Sequence, residues 1–265
     1  MAILTISREF GSGGREIGRA VAGLLNYEYL DREGMLSDLK SAGSEWEKWG
    51  RDLDEHCPTV WEKYDWSFRG FSALLQSCIL DHAYRGNTVI MGRGGNFLLQ
   101  GIPSVWKVRV VAPLEKRVER IMTRESVDKE TAKWLAEKTD NERACFIRSI
   151  YGKEWDDPDA YDVIFDTGRR DEEEIIKIVK DNLLEKDQLA LPDETLRMRA
   201  VAARIKAGLL TNPGFLIPTL EVVYEGEGIV LRGVVHRSKE HKAVEEEARR
   251  LAQGLPLRCE LHYRK

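Results

Sequence analysis

Gly11, Gly13 and Gly14 stand between an apolar run, AILTIS, and a segment in which Ile17, Val21, Leu24 and Leu25 recur at helical spacing. Glycine lets a backbone turn sharply and aim several N–H groups at one point. A helix that starts at such a turn adds the partial positive charge of its N-terminus. Together these make an anion site, so residues Gly11, Ser12, Gly13, Gly14, Arg15 and Glu16 form a candidate phosphate-binding loop. A purely structural turn is the competing reading, and the position after a first strand favours phosphate.

Two nucleotide motifs compete for this loop. A dinucleotide site asks for GxGxxG and an acid about twenty residues further on. Asp31 stands at that distance, but Glu16 replaces the last glycine. A P-loop asks for GxxxxGK[ST]. Gly13 then closes the loop, Gly14 takes the place of the lysine, Arg15 or Glu16 that of the hydroxyl residue, and Arg8 that of the first glycine. Arg15 or Arg8 would have to supply the missing charge, with a bulkier, planar cation than an ammonium.

Other chemistry-bearing residues are more dispersed. Arg93, flanked by glycines in MGRGGN, lies at the end of an apolar run, where a ligand crevice opens. Arg117, Arg120 and Arg124 have Glu115, Glu119 and Glu125 nearby, so surface ion pairs compete with a functional role. Asp31 reads either as a ligand contact or as a helix-starting acid. WDDP, residues 155–158, reads as an acidic turn, and no metal site is expected: of the five histidines only His236 and His241 are near each other.

The elements that must position these residues follow an alternating pattern. AILTIS, YEYL, TVIMG (88–92), WKVRVVA (106–112) and YDVIFD (161–166) are five candidate strands. Between them lie helical faces such as Phe71, Leu75, Cys78, Ile79 and His82, or Leu114, Val118, Ile121 and Met122, and Ile175, Ile176, Val179 and Leu183 follow. Alternation of this kind predicts an α/β fold with a parallel sheet covered on both faces. Residues 37–70 interrupt the rhythm and hold Trp46, Trp49, Trp61 and Trp66, which either anchor this insertion to the core or stack on a ligand base. EKDQLALPDE, residues 185–194, reads as a linker to a small α+β unit of order αββαβ, with EGEG as a tight turn.

Composition narrows the classes. The chain has 265 residues and a formal net charge of −4, which carries no nucleic-acid signature. No apolar run spans a bilayer and the first residues do not resemble a signal peptide, so a cytoplasmic protein with no membrane partner is expected. Cys57, Cys78, Cys145 and Cys259 form no CxxC pair and read as reduced thiols rather than a disulfide framework.

The order LTIS, glycine loop, YLDREGM, GRGGN, VRVVAPLEKRVERI, TDNER, YDVIFDTGR resembles the cytidylate kinases of the P-loop nucleoside monophosphate kinase superfamily, and more closely the bacterial cytidylate kinase-like proteins. The resemblance covers about residues 1–185. It implies a three-layer P-loop kinase fold with a five-stranded parallel sheet in a domain of residues 1–187, a monophosphate-binding insertion at about 37–70 and a lid at about 126–158. It also implies phosphoryl transfer from ATP, with Mg²⁺, to CMP or dCMP. By position, Asp31 and Arg93 would meet the acceptor, and Arg143 and Arg148, with Arg117 and Arg120, would meet the phosphoryl groups. Arg15 or Arg8 would serve in place of the lysine, and DTGR would lie near the nucleotide base.

Residues 195–265 resemble a BON domain through IVLRGVVHRSKEHKAVEEEARRLAQGLP, with a ligand or partner that the sequence does not name. Two rival readings stay open. One is a catalytically silent nucleotide-binding regulatory protein, because the lysine is absent. The other is a dinucleotide-dependent oxidoreductase, because of the Asp31 spacing.

Overall fold

The computed structural model describes residues 1–52, 57–59, 61–62, 65–189, 193–217, 219–236 and 238–263. Strands β1 (Ile3–Arg8), β2 (Glu28–Leu30), β3 (Thr88–Met91), β4 (Val105–Val111) and β5 (Val163–Asp166) form one parallel sheet in the order β2-β3-β1-β4-β5. Alternate residues of β1 feed opposite cores, as the two-residue period of a strand requires. Leu4 and Ile6 pack with Ile17 and Val21 of α1 (Gly14–Leu25) and with Ile175, Val179 and Leu183 of a later helix. Ile3 packs on the other face with Leu75 and Ile79 of a long helix that follows the insertion. The result is the expected three-layer arrangement.

Strand order removes one of the rival readings. A dinucleotide-binding fold sets its second strand beside the first, whereas here β3 lies between β1 and β2. Asp31 therefore leaves a strand that does not adjoin the glycine loop's own strand, and its spacing in sequence was coincidental.

The remaining α-helices of this part among the described residues are α2 (Arg32–Ala42), α3 (Ser44–Asp52), α4 (Trp66–Arg85), α5 (Gly95–Leu98), α6 (Leu114–Glu125), α7 (Lys129–Tyr151) and α8 (Glu172–Leu189), with one turn of 3-10 helix at Pro158–Ala160. The expected insertion is thus made of α2, α3 and the first turn of α4, with residues 53–56, 60 and 63–64 outside the described residues. Its tryptophans act mainly as anchors. Trp46 is buried against Gly70, Trp49 packs on Phe68 and Phe71, and Trp66 Nε1 donates to Leu210 O at 3.1 Å. Trp61 alone of the four is open, at 85% exposed. The expected lid is dominated by the single helix α7, whose start is capped by Asp128 accepting from Thr131 N–H at 2.8 Å.

Two expectations fail here. EKDQLALPDE is not an open linker: α8 continues to Leu189, and Asp187 accepts the Ala2 N–H at 2.8 Å, so the helix end is tied to the start of β1 (residues 190–192 lie outside the described residues). Nor are the four cysteines all free. Cys57 and Cys145, 88 residues apart, have Cα atoms at 5.2 Å and form a disulfide, while Cys78 and Cys259 remain thiols. Folding sets the insertion beside α7, and spacing along the chain carries no trace of that.

The C-terminal unit has the order α9 (Glu194–Leu210), β6 (Glu221–Tyr224), β7 (Ile229–Val235), α10 (Ser238–Ala252) and β8 (Leu257–Tyr263). β7 pairs antiparallel with β6 and parallel with β8. α9 has two apolar sides: Leu196 and Ala200 join the core of α4, and Met198, Ala202, Ile205 and Leu209 cover the small sheet. Ala73 of α4 belongs to that second cluster too, so α9 is a shared wall. No helix among the described residues is long and apolar enough to cross a membrane.

Packing at this wall is close, because Ala73 is only 3% exposed. Ala73→Leu is expected to overpack it and lower stability by roughly 1–3 kcal/mol, read as a lower Tm by circular dichroism. Arg204→Ala, which breaks the half-exposed pair with Asp81 at 2.7 Å, should change stability by only about 0–1 kcal/mol.

Candidate functional site

β1 ends at Arg8 in the middle of the sheet, and the glycine loop leaves from its carboxyl end, where ligands of parallel sheets bind. Gly11 and Gly13 have φ of +80° and +84°, in the left-handed region that favours glycine. A Cβ on Gly11 would sit 2.9 Å from Arg117 O, and one on Gly13 would strike the Glu172 carboxylate. α1 then begins without a side-chain cap, so its first N–H groups keep their free valence toward the cleft. Ser12 is fully buried and its Oγ has no hydrogen-bond partner among the described residues, while its carbonyl is pinned by Thr167 Oγ1 at 2.7 Å. Arg120 supports the loop from behind, donating to Thr167 Oγ1 at 2.8 Å and pairing with Glu172 at 3.0 Å.

Gly14, at the place of the usual lysine, is hemmed in. A Cβ there would lie 2.7 Å from Arg8 Cβ and 3.1 Å from Val110 Cβ. The Arg8 side chain runs past Gly14 to Gly92, where its guanidinium would meet a Cβ on that second glycine. Arg8 thus bridges the glycine loop and the turn after β3.

That turn carries Arg93 at φ +57°, with its carbonyl held by Tyr151 Oη at 2.7 Å and its guanidinium 5.6 Å from the Phe146 ring centre. Burial of Tyr151 pushes its phenol above the ordinary range, so it stays protonated and donating.

Two cavities meet at Arg8 and Arg143. The larger, about 660 Å³, contains the whole loop from Gly11 to Glu16 together with Tyr29 and Asp31. The smaller, about 40 Å³, lies behind Arg93 and is closed by Asn96, Phe146 and Trp155. Arg143 Nη1 donates to Arg8 O at 3.0 Å, and the guanidinium carbons of Arg143 and Arg124 lie 5.7 and 4.7 Å from the centre of the Phe10 ring. Burial raises the Tyr29 phenol, and the nearby Arg8 charge opposes that rise.

Asp140 organises this region. It accepts the Phe10 N–H at 2.8 Å and Arg117 Nη1 at 2.5 Å, and it lies 3.7 Å from Arg143 Nη1. Arg117 also donates to Phe10 O at 3.3 Å, and its buried Nε is 3.6 Å from Glu9 Oε2. Arg117 therefore holds the loop to α6 and α7 and does not line the larger cavity.

The other candidates are placed as follows. Asp31 caps α2, accepting from Glu33 N–H at 3.0 Å, and also attracts Arg15 at 3.8 Å and Arg19 at 3.4 Å. Arg15 is thereby turned along the cleft wall toward Asp31. Arg148 is not brought to the cleft: it is exposed and paired with Glu154 at 2.6 Å. Sequence reasoning missed Phe10 and Arg51 as cleft residues and Asp140 as the node, and it left Arg124, which lines the cleft and pairs with Glu125, between its two readings. The acid inside TDNER was the available signal for the node.

Comparison with known proteins follows this geometry. The model of the cytidylate kinase-like family matches residues 3–169, which hold the loop, Arg93, Asp140 and Arg143. A cytidylate kinase of Methanocaldococcus jannaschii is 29% identical over 187 residues, covering 68% of this chain and 98% of that protein. One from Haloarcula marismortui is 25% identical, covering 66% and 86%. A solved structure from Eubacterium ventriosum, of uncharacterised function, aligns with a TM-score of 0.54 at 21% identity, covering 69% of this chain and 98% of that one, a likeness of fold.

Removing the node should leave the mostly buried Arg117 without its carboxylate. Asp140→Ala is expected to cost roughly 3–5 kcal/mol, the usual penalty for breaking a buried ion pair, measured by urea unfolding. Arg148→Ala, which frees one exposed pair, serves as the comparison and should leave the midpoint in place.

Proposed function

Because the chain belongs to the cytidylate kinase-like family, we propose that it is a nucleoside monophosphate kinase that moves the γ-phosphoryl group of ATP onto CMP or dCMP. The observation that carries this reading is the meeting of the glycine loop with Arg8, Arg93 and Arg143 where two cavities join. A phosphoryl group in flight spreads negative charge over its oxygens, and catalysis consists of positioning the reactants and stabilising that charge. Guanidinium groups grip phosphate through two parallel hydrogen bonds.

The residues divide the work. Free N–H groups at the start of α1 and the turn from Gly11 to Gly14 hold the donor phosphates. Arg8 takes the part of the missing lysine, since it reaches from Gly14 to Gly92 and stands between donor loop and acceptor turn. Arg143 reaches the transferring group from α7. Arg93 holds the acceptor phosphate, and Asp31, oriented by Arg15 and Arg19, faces the acceptor nucleoside. Arg117 positions the loop through Asp140 and touches no substrate.

Mg²⁺, when bound with ATP, would neutralise developing charge on the phosphates. Glu16 lines the cleft, makes no ion pair among the described residues and fits a metal that takes one carboxylate beside phosphate oxygens and water. Residues 195–265, whose αββαβ order supports the BON-like reading, serve in this proposal as a regulatory or assembly unit.

The test is ADP formation from ATP and Mg²⁺ by the purified chain, with and without each of CMP, dCMP, UMP and AMP. Acceptor-dependent turnover highest with CMP or dCMP is expected. Its absence in a folded sample that still binds ATP would favour the silent regulatory reading. Arg8→Ala should lower kcat by about 100–1000-fold, as loss of a charge-stabilising donor does. Arg15→Ala should act mainly on the acceptor KM, and a larger loss of kcat for Arg15→Ala than for Arg8→Ala would reverse the assignment.

A further inference from the structure

About two turns along α2 from Asp31, and outside the lining of the phosphate cleft, three ligand-type side chains converge. Cys78 and His82 are four residues apart on α4 and so share one face of that helix. Asp38 reaches them from α2. Its Oδ2 lies 2.7 Å from His82 Nε2 and 3.0 Å from Cys78 Sγ, and all three ligand atoms fall within 4.8 Å of one another. The sequence hid this cluster, because Asp38 is 40 residues from Cys78 and the pair on α4 reads as part of an apolar face.

Glu28 of β2 supplies an independent observation. Its Oε2 lies 2.9 Å from His82 Nδ1, on a ring that is only 6% exposed. A carboxylate on one imidazole nitrogen fixes the tautomer and leaves the other nitrogen's lone pair facing the metal, and this carboxylate–histidine–metal relay accompanies most metal-bound histidines. A crevice of about 240 Å³ opens beside the cluster, bordered by Leu39, Leu74 and Ser77 as well as Asp38 and Cys78. Water or a further oxygen can enter there as a fourth ligand.

We infer that Asp38, Cys78 and His82, with Glu28 orienting His82, bind a divalent metal ion of the zinc class. A thiolate, an imidazole and a carboxylate suit a borderline-soft cation that accepts tetrahedral coordination, and they do not suit Mg²⁺. Binding proceeds with release of the Cys78 thiol proton and displacement of the hydrogen bonds now shared on Asp38. None of the three ligands borders the phosphate cleft, so the site is distinct from any Mg²⁺ bound with nucleotide. Its effect is to clamp α2, whose first turn carries Asp31 into the cleft, onto α4 and the start of β2.

The test is titration of the full-length, EDTA-treated chain with Co²⁺ under anaerobic conditions. One equivalent should give a thiolate-to-cobalt absorption band in the near ultraviolet, which oxygen ligands of a nucleotide site do not produce. Zn²⁺ should abolish the band, and excess Mg²⁺ should not. Cys78→Ser should remove it, Asp38→Asn should weaken binding, and Glu28→Gln should lower affinity by about 10–100-fold, as loss of an orienting partner does. Cys259→Ser should leave the band intact. Zn²⁺ should also raise the Tm of the wild-type chain and not that of Cys78→Ser. No near-ultraviolet band with the wild-type chain, or a band that survives Cys78→Ser or vanishes with Cys259→Ser, would overturn the proposal and leave the cluster as a hydrogen-bond network.

Discussion

The Asp140 carboxylate gathers a backbone N–H from the glycine loop, a guanidinium from α6 and the neighbourhood of a second guanidinium from its own helix. Three segments that share no secondary structure are thus referred to one pair of oxygens. Arg117 could not be buried without it, because an unpaired charge in such a place is too costly to keep. The same carboxylate fixes the backbone of Phe10, whose ring both Arg124 and Arg143 approach. The cleft depends on this carboxylate although the carboxylate itself lies behind the cleft wall.

In the proposed reading the site is a P-loop whose cation has moved. An ordinary loop draws its charge from the first turn of the helix. In this chain glycine stands at 14, Arg15 of the first turn is drawn toward Asp31, and Arg8, the last residue of the strand, crosses over Gly14. A guanidinium entering from the strand reaches both the loop and the turn after β3, where Arg93 is held in a left-handed conformation.

Much of the architecture was legible because strands declare themselves locally. Runs such as AILTIS and WKVRVVA are rich in β-branched residues, and β1 and β4 fall on them within a residue or two. The glycine loop and Arg93 were legible because strained backbone and close approach leave glycines in the sequence. What was hidden is what only folding brings together: the pairing of Cys57 with Cys145, the grip of Asp140 on Phe10, and the cluster of Asp38 with Cys78 and His82. Arg143 and Arg148 illustrate the limit of motif reasoning. Five residues apart, they differ by about 140° around the helix, so both cannot face one cleft, and the family pattern alone did not choose between them. The supposed linker failed for a simpler reason, since EKDQL is polar yet four of its five residues, Glu, Lys, Gln and Leu, are good helix formers.

The tight packing of Gly14 against Arg8 and Val110 has an evolutionary corollary. Introducing a lysine at 14 while Arg8 remains sets two side chains in one space. Replacing Arg8 while glycine remains at 14 strips the loop of its crossing cation. Either of these single steps would compromise the loop, and moving the cation to position 14 would take a paired exchange at 8 and 14. On the proposed role of Arg8, an epistatic valley would separate the two loop forms, because the space beside Val110 holds the side chain of residue 8 or that of residue 14 but not both.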